Sequence, residues 1–369
     1  MNQNSAFIIE IKRVQENIER IFNNLKPNVQ VIPVLKADAY GHGLIEIAKI
    51  LDEYKAIKTL AIAQPIEALS LKEAGISKDI MLLCGITDDQ IDLMIENKIQ
   101  LLIHNLDSLK EITNKLKEHG IKNYPVNLKI NTGLNRLGFD IEELKIAIPL
   151  LKNNQHITLR STYSHFIEGV KENSPISFQQ KKRFDEAIQL LNQHSINPGI
   201  KHMCDSGAYE WFENAHYDAV RIGRALYMDN PYKEESKRFK DVGSWHAKVI
   251  STRDINKGES IGYGQSHIAQ KDMTLAIINV GYGDGMMILS DDIMRPVLIN
   301  DQKAQVISVA MDQSYLDITG LDVKINDEVT LFGMDKSKYF STNDITKQFD
   351  DEGCTLTSLL SKRVCRVYR

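Results

Sequence analysis

The amino-acid sequence predicts an α/β protein, with an amino-terminal (β/α)₈ barrel followed by a mostly β carboxyl-terminal domain. The chain has 369 residues, which is more than a single domain usually contains. Over the first two-thirds of the sequence, short β-branched runs alternate with amphipathic helical patterns. After about residue 236 the helical patterns become rare, and strand-like segments follow one another.

Eight candidate strands occupy the first part of the chain. They lie at 29–38, 59–64, 79–86, 99–105, 126–133, 159–166, 200–207 and 217–223. The clearest helical patterns between them lie at 43–54, 65–75, 107–120 and 178–195. Strands that alternate with helices pair in parallel through right-handed crossovers. Eight such strands favour a (β/α)₈ barrel, and a doubly wound open sheet is the competing architecture.

The last third of the chain has the pattern of a separate β domain. Its candidate strand segments are 244–255, 273–285, 295–313 and 327–333. Turn signals at 256–258 and 326–327 punctuate them. The polar segment 231–241 is the predicted linker. We therefore expect the barrel at 1–236 and the β-rich domain at 237–369.

Composition excludes several classes of protein. The chain is 43% hydrophobic and 25% charged, as is typical of a globular protein with a full core, and its net charge of −4 gives no reason to expect a nucleic-acid partner. Glu10, Lys12 and Arg13 interrupt the apolar patch near the amino terminus, and no later segment approaches the ~20 apolar residues of a membrane span. We expect a cytoplasmic protein with no membrane partner.

The four cysteines show neither a C-x-x-C pair nor a zinc-like spacing, so we expect reduced thiols and no metal site. They are Cys84, Cys204, Cys354 and Cys365.

Polar and ionisable residues stand where the predicted barrel strands end. They are Lys36, Lys129, Arg136, His165, Ser206 and Arg221. In a (β/α)₈ barrel, functional side chains lie at the carboxyl ends of the strands. The concentration of such residues predicts a functional site at this rim.

Lys36 is the most informative of these residues, because it follows the mostly apolar run IPVL. A lysine at the end of a buried strand is costly unless its amine is used or neutralised. Burial lowers the pKa of an amine and makes it a nucleophile that can form a Schiff base. From position alone, a lysine that extends its amine to solvent is the more ordinary interpretation.

The segment KADAYGHG, residues 36–43, resembles the attachment segment for pyridoxal 5′-phosphate (PLP) in the alanine racemase family. Further segments match that family in its order, and the resemblance covers almost the whole chain. They lie at 128–139, 164–166, 202–208, 220–223, 262–264, 280–285 and 310–313. The resemblance implies a PLP-dependent alanine racemase that supplies D-alanine, a peptidoglycan precursor. It also implies a barrel, a β domain and a head-to-tail homodimer with two shared active sites.

The resemblance implies two catalytic bases. Lys36 resembles the lysine that binds PLP and serves as one base, and Tyr263 resembles the opposing base, supplied by the partner subunit. Racemisation removes a proton from one face of the substrate α-carbon and returns one to the other face. One amine and one phenol on opposite faces are therefore sufficient.

The resemblance also implies how the cofactor is held. Arg221 resembles the arginine that faces the pyridine nitrogen, and His165 and His202 resemble its supports. The implied phosphate-binding groups are Tyr40, Ser206 and the backbone of Ile222, Gly223 and Arg224.

Five further residues are assigned through the same resemblance. Arg136 resembles the residue that reaches the phenolic oxygen of the cofactor and the substrate carboxylate. Met311 and Asp312 resemble substrate contacts from the β domain. Lys129 matches a lysine that is often carbamylated in this family, and Tyr282 lies in the 280–285 match as a supporting residue.

The chain departs from the family pattern at several positions. Asp38 and Asp205 stand where many members have Asn, and Arg224 replaces a common aliphatic residue. Ala310 replaces a frequent Cys, and Lys362 a frequent Tyr. These departures leave both proposed bases intact, so they affect the expected substrate range more than the reaction type.

The sequence leaves three alternative functions open. The first is a racemase of the same fold that acts on serine or a longer amino acid. The second is a PLP-binding homeostasis protein with a related barrel and little catalysis, which would lack the β domain. The third is a PLP-dependent decarboxylase of related fold.

Overall fold

The computed structural model describes residues 5–228, 241–263, 267–287, 295–346 and 353–369. The chain folds into two compact units, which we call the barrel unit and the β unit. The barrel unit comprises 18–39 and 43–226, and the β unit comprises the described residues of 1–17, 40–42 and 227–369.

Strand β1 (Ser5–Ile9) belongs to the β unit, and the next eight strands form the barrel unit. These are β2 (Gln30–Pro33), β3 (Thr59–Ile62), β4 (Asp79–Leu82), β5 (Leu101–Ile103), β6 (Tyr124–Lys129), β7 (Ile157–Tyr163), β8 (Ile200–His202) and β9 (Ala219–Ile222). Each lies within or overlaps one of the eight predicted segments, so all eight predictions are confirmed.

The eight strands are parallel and follow one another around a ring. One sheet has the order β2-β9-β8-β7-β6-β5, and β3 pairs with β4. Single bridges from Val34 to Ala61 and from Met81 to Gln100 join these two sheets. Because the first barrel strand pairs with the last, the open doubly wound sheet is excluded.

Helices alternate with the strands, as the sequence predicts. They are α1 (Ile11–Asn23), α2 (Leu44–Asp52), α3 (Pro65–Glu73), α4 (Asp88–Glu96), α5 (Leu106–Glu118), α6 (Ile141–Lys152), α7 (Pro175–Gln193) and α8 (Arg224–Tyr227). Side-chain caps mark the starts of two of these helices. The Asn105 side chain accepts a hydrogen bond from the Ser108 amide at the start of α5. The Asp140 side chain accepts one from the Glu143 amide at the start of α6. The buried Phe184 of α7 belongs to the predicted helical periodicity.

The described strands of the β unit after β1 are β10 (Gly243–Ile255), β11 (Ser260–Ile261), β12 (His267–Ile268), β13 (Met273–Ile278), β14 (Arg295–Ile299), β15 (Gln302–Val309), β16 (Ser314–Asp317), β17 (Glu328–Met334), β18 (Tyr339–Phe340) and β19 (Cys365–Tyr368). One sheet has the order β18-β17-β14-β15-β16-β13-β10-β1-β19, and β11 pairs with β12 in a separate sheet. Helices α9 (Thr342–Thr346) and α10 (Gly353–Ser358) accompany them. The prediction of a mostly β carboxyl-terminal part is confirmed.

The strand β1 joins the sheet of the carboxyl-terminal half. It pairs antiparallel with β10, where Ser5 faces Ala247, and parallel with β19, where Ala6 faces Cys365. Except for Asp241, the predicted linker 231–241 lies outside the described residues, so the division after residue 236 stays a prediction.

Candidate active site

A left-handed turn follows β2 and contains the segment after Lys36. Ala37, Asp38, Ala39 and Tyr40 have φ angles of 54°, 57°, 53° and 55°. Left-handed backbone costs about 1–2 kcal/mol for each residue with a Cβ atom, and such strain concentrates at functional sites. The Lys36 side chain at the start of this turn is half-buried.

Hydrogen bonds from neighbouring elements hold this turn. The Asp38 carboxylate accepts from the Leu44 amide at the start of α2, at 2.7 Å. The Glu67 carboxylate accepts from the Ala37 amide, also at 2.7 Å. Sequence reasoning missed Glu67, because its partner lies 30 residues away and no local pattern indicates the contact.

Strand register places Lys36 and Arg221 at the same end of neighbouring strands. Ile32 pairs with Arg221, and Pro33 pairs with Ile222. The Val34 amide then donates to the Ile222 carbonyl at 2.8 Å. Both side chains therefore belong to the carboxyl rim of the barrel, as the sequence predicts.

Arg221 is buried and connects two histidines. Its Nη1 lies 2.6 Å from Nδ1 of His202, and its Nη2 lies 3.2 Å from Nδ1 of His165. Nη2 also donates to the Ser164 carbonyl at 2.6 Å. Because a guanidinium can only donate, both Nδ1 atoms accept, and each neutral ring carries its proton on Nε2.

His202 is held neutral by its surroundings. Desolvation lowers its pKa well below the usual value, and the positive charges of Arg221 and Lys129 lower it further. Its ring stacks on Tyr163 at 5.0 Å between centroids. Its Nε2 is buried and has no hydrogen-bond partner among the described residues. The structure thus brings the two predicted histidines and Arg221 together.

Lys129 ends β6 and lies inside the barrel rim with only 6% of its surface exposed. Its Nζ stands 4.3 Å from the centroid of the Tyr163 ring. Desolvation lowers the pKa of Lys129 well below the usual value, and the charges of Arg221 and Arg136 add to the effect. The buried amine therefore gives up its proton more readily than the amine of an exposed lysine. Burial raises the pKa of Tyr163, which keeps that phenol protonated.

Ser206 meets backbone amides at the start of α8. Its Oγ accepts from the amide of Gly223 at 3.0 Å and from that of Ala225 at 3.2 Å. Ile222 and Arg224 of the predicted phosphate-binding group are buried beside them. Sequence reasoning missed the Ala225 amide, although it lies directly after that group. Tyr40 belongs to the β unit, and the centroid of its ring lies 5.5 Å from that of the Tyr227 ring.

In the β unit, a second group of predicted residues converges. The Tyr282 amide donates to the Ala310 carbonyl at 3.0 Å, immediately before Met311. The Asp312 carboxylate lies 2.7 Å from Nη2 of Arg363. Nε of Arg363 lies 3.2 Å from the buried Asp284 carboxylate. Sequence reasoning missed Arg363, which connects the 280–285 and 310–313 segments and directly follows Lys362.

Tyr263 projects from the β unit with 82% of its surface exposed. A strand aromatic that serves only packing would be at least half-buried. Gly264, the last residue of the 262–264 match, lies outside the described residues.

No described helix is long and apolar enough to cross a membrane. Within the same residues, no group of three or more His, Cys, Asp or Glu side chains is placed to hold a metal ion.

A closed parallel barrel, a lysine shortly after its first strand and an arginine–histidine network around the buried Arg221 define an α/β-barrel protein with a cationic site at its carboxyl rim. Comparison with known families is more specific. The family model "Alanine racemase, N-terminal domain" matches residues 9–231, and "Alanine racemase, C-terminal domain" matches residues 242–368. The chain belongs to the alanine racemase family.

Individual relatives agree along the full length. The alanine racemase of Methanococcus maripaludis is 30% identical over 369 residues, which cover 98% of this chain and 97% of that protein. The structure of alanine racemase from Clostridium difficile 630 has a TM-score of 0.90 at 27% identity and covers 100% of this chain and 96% of that one. Alanine racemase from Bartonella henselae with covalently bound pyridoxal phosphate has a TM-score of 0.88 at 25% identity, with 100% of both chains covered.

Proposed function

We propose that this chain is a PLP-dependent alanine racemase, which interconverts L- and D-alanine. The observation that carries the proposal is that Lys36 closely follows β2, whose hydrogen-bonded neighbour β9 contains Arg221. A lysine amine can bind PLP covalently, and an arginine can face an unprotonated ring nitrogen because it only donates. The names of the Methanococcus maripaludis and Bartonella henselae proteins support the same assignment.

The barrel rim fits an anionic cofactor. The positive charges of Arg221 and Arg136 both lower the pKa of Lys129. The buried Nε2 of His202 has no hydrogen-bond partner among the described residues. The amides of Gly223 and Ala225 converge on the Ser206 hydroxyl, to which both donate. Surplus positive charge and converging amides are what a phosphate-bearing aromatic group requires.

Several residues would hold PLP in this rim. Lys36 would bind it covalently, and Arg221, oriented by His165 and His202, would face its ring nitrogen. Its phosphate would be bound by Tyr40, Ser206 and the amides of Ile222, Gly223 and Arg224. When bound, PLP withdraws electrons from the substrate α-carbon.

Lys36 and Tyr263 are the proposed proton carriers. The Lys36 amine exchanges a proton with one face of the substrate α-carbon, and the Tyr263 phenol exchanges one with the other face. Each residue works as the base in one direction of the reaction and as the acid in the other. Arg136, Met311 and Asp312 bind the substrate, with Tyr282 in support.

We further propose that the active protein is a homodimer in which Tyr263 of the partner subunit completes each site. The exposure of Tyr263 supports this proposal, because an exposed phenol is available to a second copy of the chain. A cytoplasmic location is part of the same proposal. It agrees with the finding that no disulfide joins the cysteines of the described residues.

Lys129 is the proposed site of carbamylation. Burial favours the neutral form of its amine, whose lone pair can attack the carbon of CO₂ while one amine proton leaves to solvent. The product is an anion. It would lie next to Arg221 and Arg136, whose charges favour a negative group at this position.

Competing functions differ in the substrate or lack the β unit. A PLP homeostasis protein is not favoured, because the carboxyl-terminal family model matches 242–368. A panel of L-amino acids, each incubated with the holoenzyme and resolved by chiral separation, tests the function directly. We expect alanine to racemise fastest; faster turnover of serine or a longer amino acid would contradict the assignment of the substrate.

A further inference from the structure

The Asp205 carboxylate lies at the same rim as Arg221, in the loop after β8. Its Oδ1 accepts from the amides of Gly207 and Ala208, both at 3.0 Å, and so caps the short 3₁₀ turn Ala208–Glu210. Its Oδ2 lies 3.8 Å from Nε2 of His165. That separation is longer than a hydrogen bond but short enough for an electrostatic interaction between the carboxylate and the imidazole ring.

The proton positions follow from Arg221. Its Nη2 donates to Nδ1 of His165, so the neutral His165 ring carries its proton on Nε2. The nitrogen that carries this proton is the one 3.8 Å from the Asp205 carboxylate. The imidazole ring therefore lies between a guanidinium on one side and a carboxylate on the other.

Asp205 provides the opposing charge in this group. Desolvation lowers the pKa of His165, and the cations Arg221, Lys129 and Arg136 act in the same direction. Among the described groups that act on His165, only Asp205 raises its pKa. Desolvation also lowers the pKa of Arg221, and Asp205 is among the groups that oppose this.

The loop after β7 is shaped to admit this carboxylate. A Cβ atom on Gly169 would stand 2.5 Å from Oδ1 and 2.7 Å from Oδ2 of Asp205, so any larger residue there would have to displace this carboxylate. The Trp211 indole donates to the Gly169 carbonyl at 2.8 Å and fixes the loop in this position. Two loops from neighbouring strands thus hold the carboxylate in place.

We propose that Asp205 is a positioning residue that orients the His165 ring and, through it, the Arg221 guanidinium, while supplying negative charge to a site dominated by cations. The consequence for the cofactor rests on the proposed function. The contact between Asp205 and His165 belongs to the cofactor-free protein as well.

The test uses Asp205→Asn, because an Asn side-chain oxygen can keep the cap on the 3₁₀ turn while the charge is removed. Gly169→Ala displaces the carboxylate by a second route. The matched control is Asp218→Asn, which removes the same charge at the opposite end of β9, where Asp218 accepts from the Lys201 amide.

The first measurement uses cofactor-free protein with ¹⁵N-labelled histidine. We expect the Nε2 resonance of His165 to move in Asp205→Asn and Gly169→Ala, and to stay unchanged in Asp218→Asn. An unchanged Nε2 resonance in both site variants would overturn the proposal. This result does not depend on whether the protein is a racemase.

The second measurement titrates the visible absorbance of the PLP-loaded proteins. Loss of a nearby negative charge disfavours the protonated form of a neighbouring cation. We therefore expect the midpoint pH of the absorbance change to fall by about one unit in Asp205→Asn. An Asp205→Asn profile identical to that of the wild type would mean that Asp205 serves only as a cap, and would overturn the proposal. Failure of the wild type to bind PLP at all would instead contradict the proposed function.

Discussion

Replacing Tyr263 with Phe separates the chemical role of this residue from any structural role. With 82% of its surface exposed, the side chain buries almost nothing against its own chain. Surface substitutions of this kind change the free energy of unfolding by about 0.5 kcal/mol or less. A proton carrier, in contrast, contributes about 10²–10⁴-fold in rate, which corresponds to about 2.7–5.4 kcal/mol of activation free energy. Racemisation should therefore fall by at least two orders of magnitude in a normally folded protein.

The assay follows both enantiomers of alanine by chiral separation and, in D₂O, the exchange of the α-hydrogen. Lys36 remains in the Tyr263→Phe variant, so exchange should persist for the enantiomer whose proton faces Lys36. By analogy with the family we expect this to be D-alanine. Tyr54→Phe, which removes a hydroxyl from a ring stacked on Phe22 of the barrel unit, is the control and should racemise normally. Equal exchange of both enantiomers by Tyr263→Phe would refute the assignment of two bases.

Three other predictions follow from the same site. Borohydride treatment of the PLP-loaded protein should fix the cofactor on the peptide that contains Lys36, and a label on another lysine would exclude this role. Mixing an inactive Lys36→Ala chain with an inactive Tyr263→Phe chain should restore activity, because one site of the mixed dimer receives both residues; proven heterodimers without activity would show that each subunit builds its own site. Because the pKa of Lys129 is lowered in the folded protein, the unfolded chain binds more protons than the folded one between that lowered pKa and pH ~10.5. Over this window, in carbonate-free buffer, the unfolding free energy of the wild type should rise with pH relative to Lys129→Met. Parallel pH profiles would contradict the burial of that amine in solution.

The order of strands in the barrel could be predicted from the sequence because each strand is a local pattern. Periodicity located the eight parallel strands, and the rule that functional groups follow the strands located Lys36, Lys129, His165 and Arg221. The pairing of β2 with β9 then brings the two ends of this series together, as the barrel interpretation requires.

Contacts between distant segments could not be predicted from the same patterns. The hydrogen bond from Ala37 to Glu67, the approach of Asp205 to His165 and the ion pair of Arg363 with Asp312 each join segments that share no periodicity. The left-handed turn after Lys36 was equally hidden, because alanine at 37 and 39 carries no signal for positive φ. Such features depend on the assembled fold, and they cluster at the functional site, where local rules are most often broken.

The pairing of β1 has a consequence for synthesis on the ribosome. Its antiparallel partner β10 emerges about 240 residues later and its parallel partner β19 later still. At roughly 5–20 residues per second, β1 waits on the order of 10–50 s before β10 is made. During that time the nascent chain carries an apolar strand with both edges open, which is a template for association with other chains. Factors that shield nascent chains should therefore matter more for this amino-terminal segment than for β3 to β8, whose next partners follow within a few tens of residues.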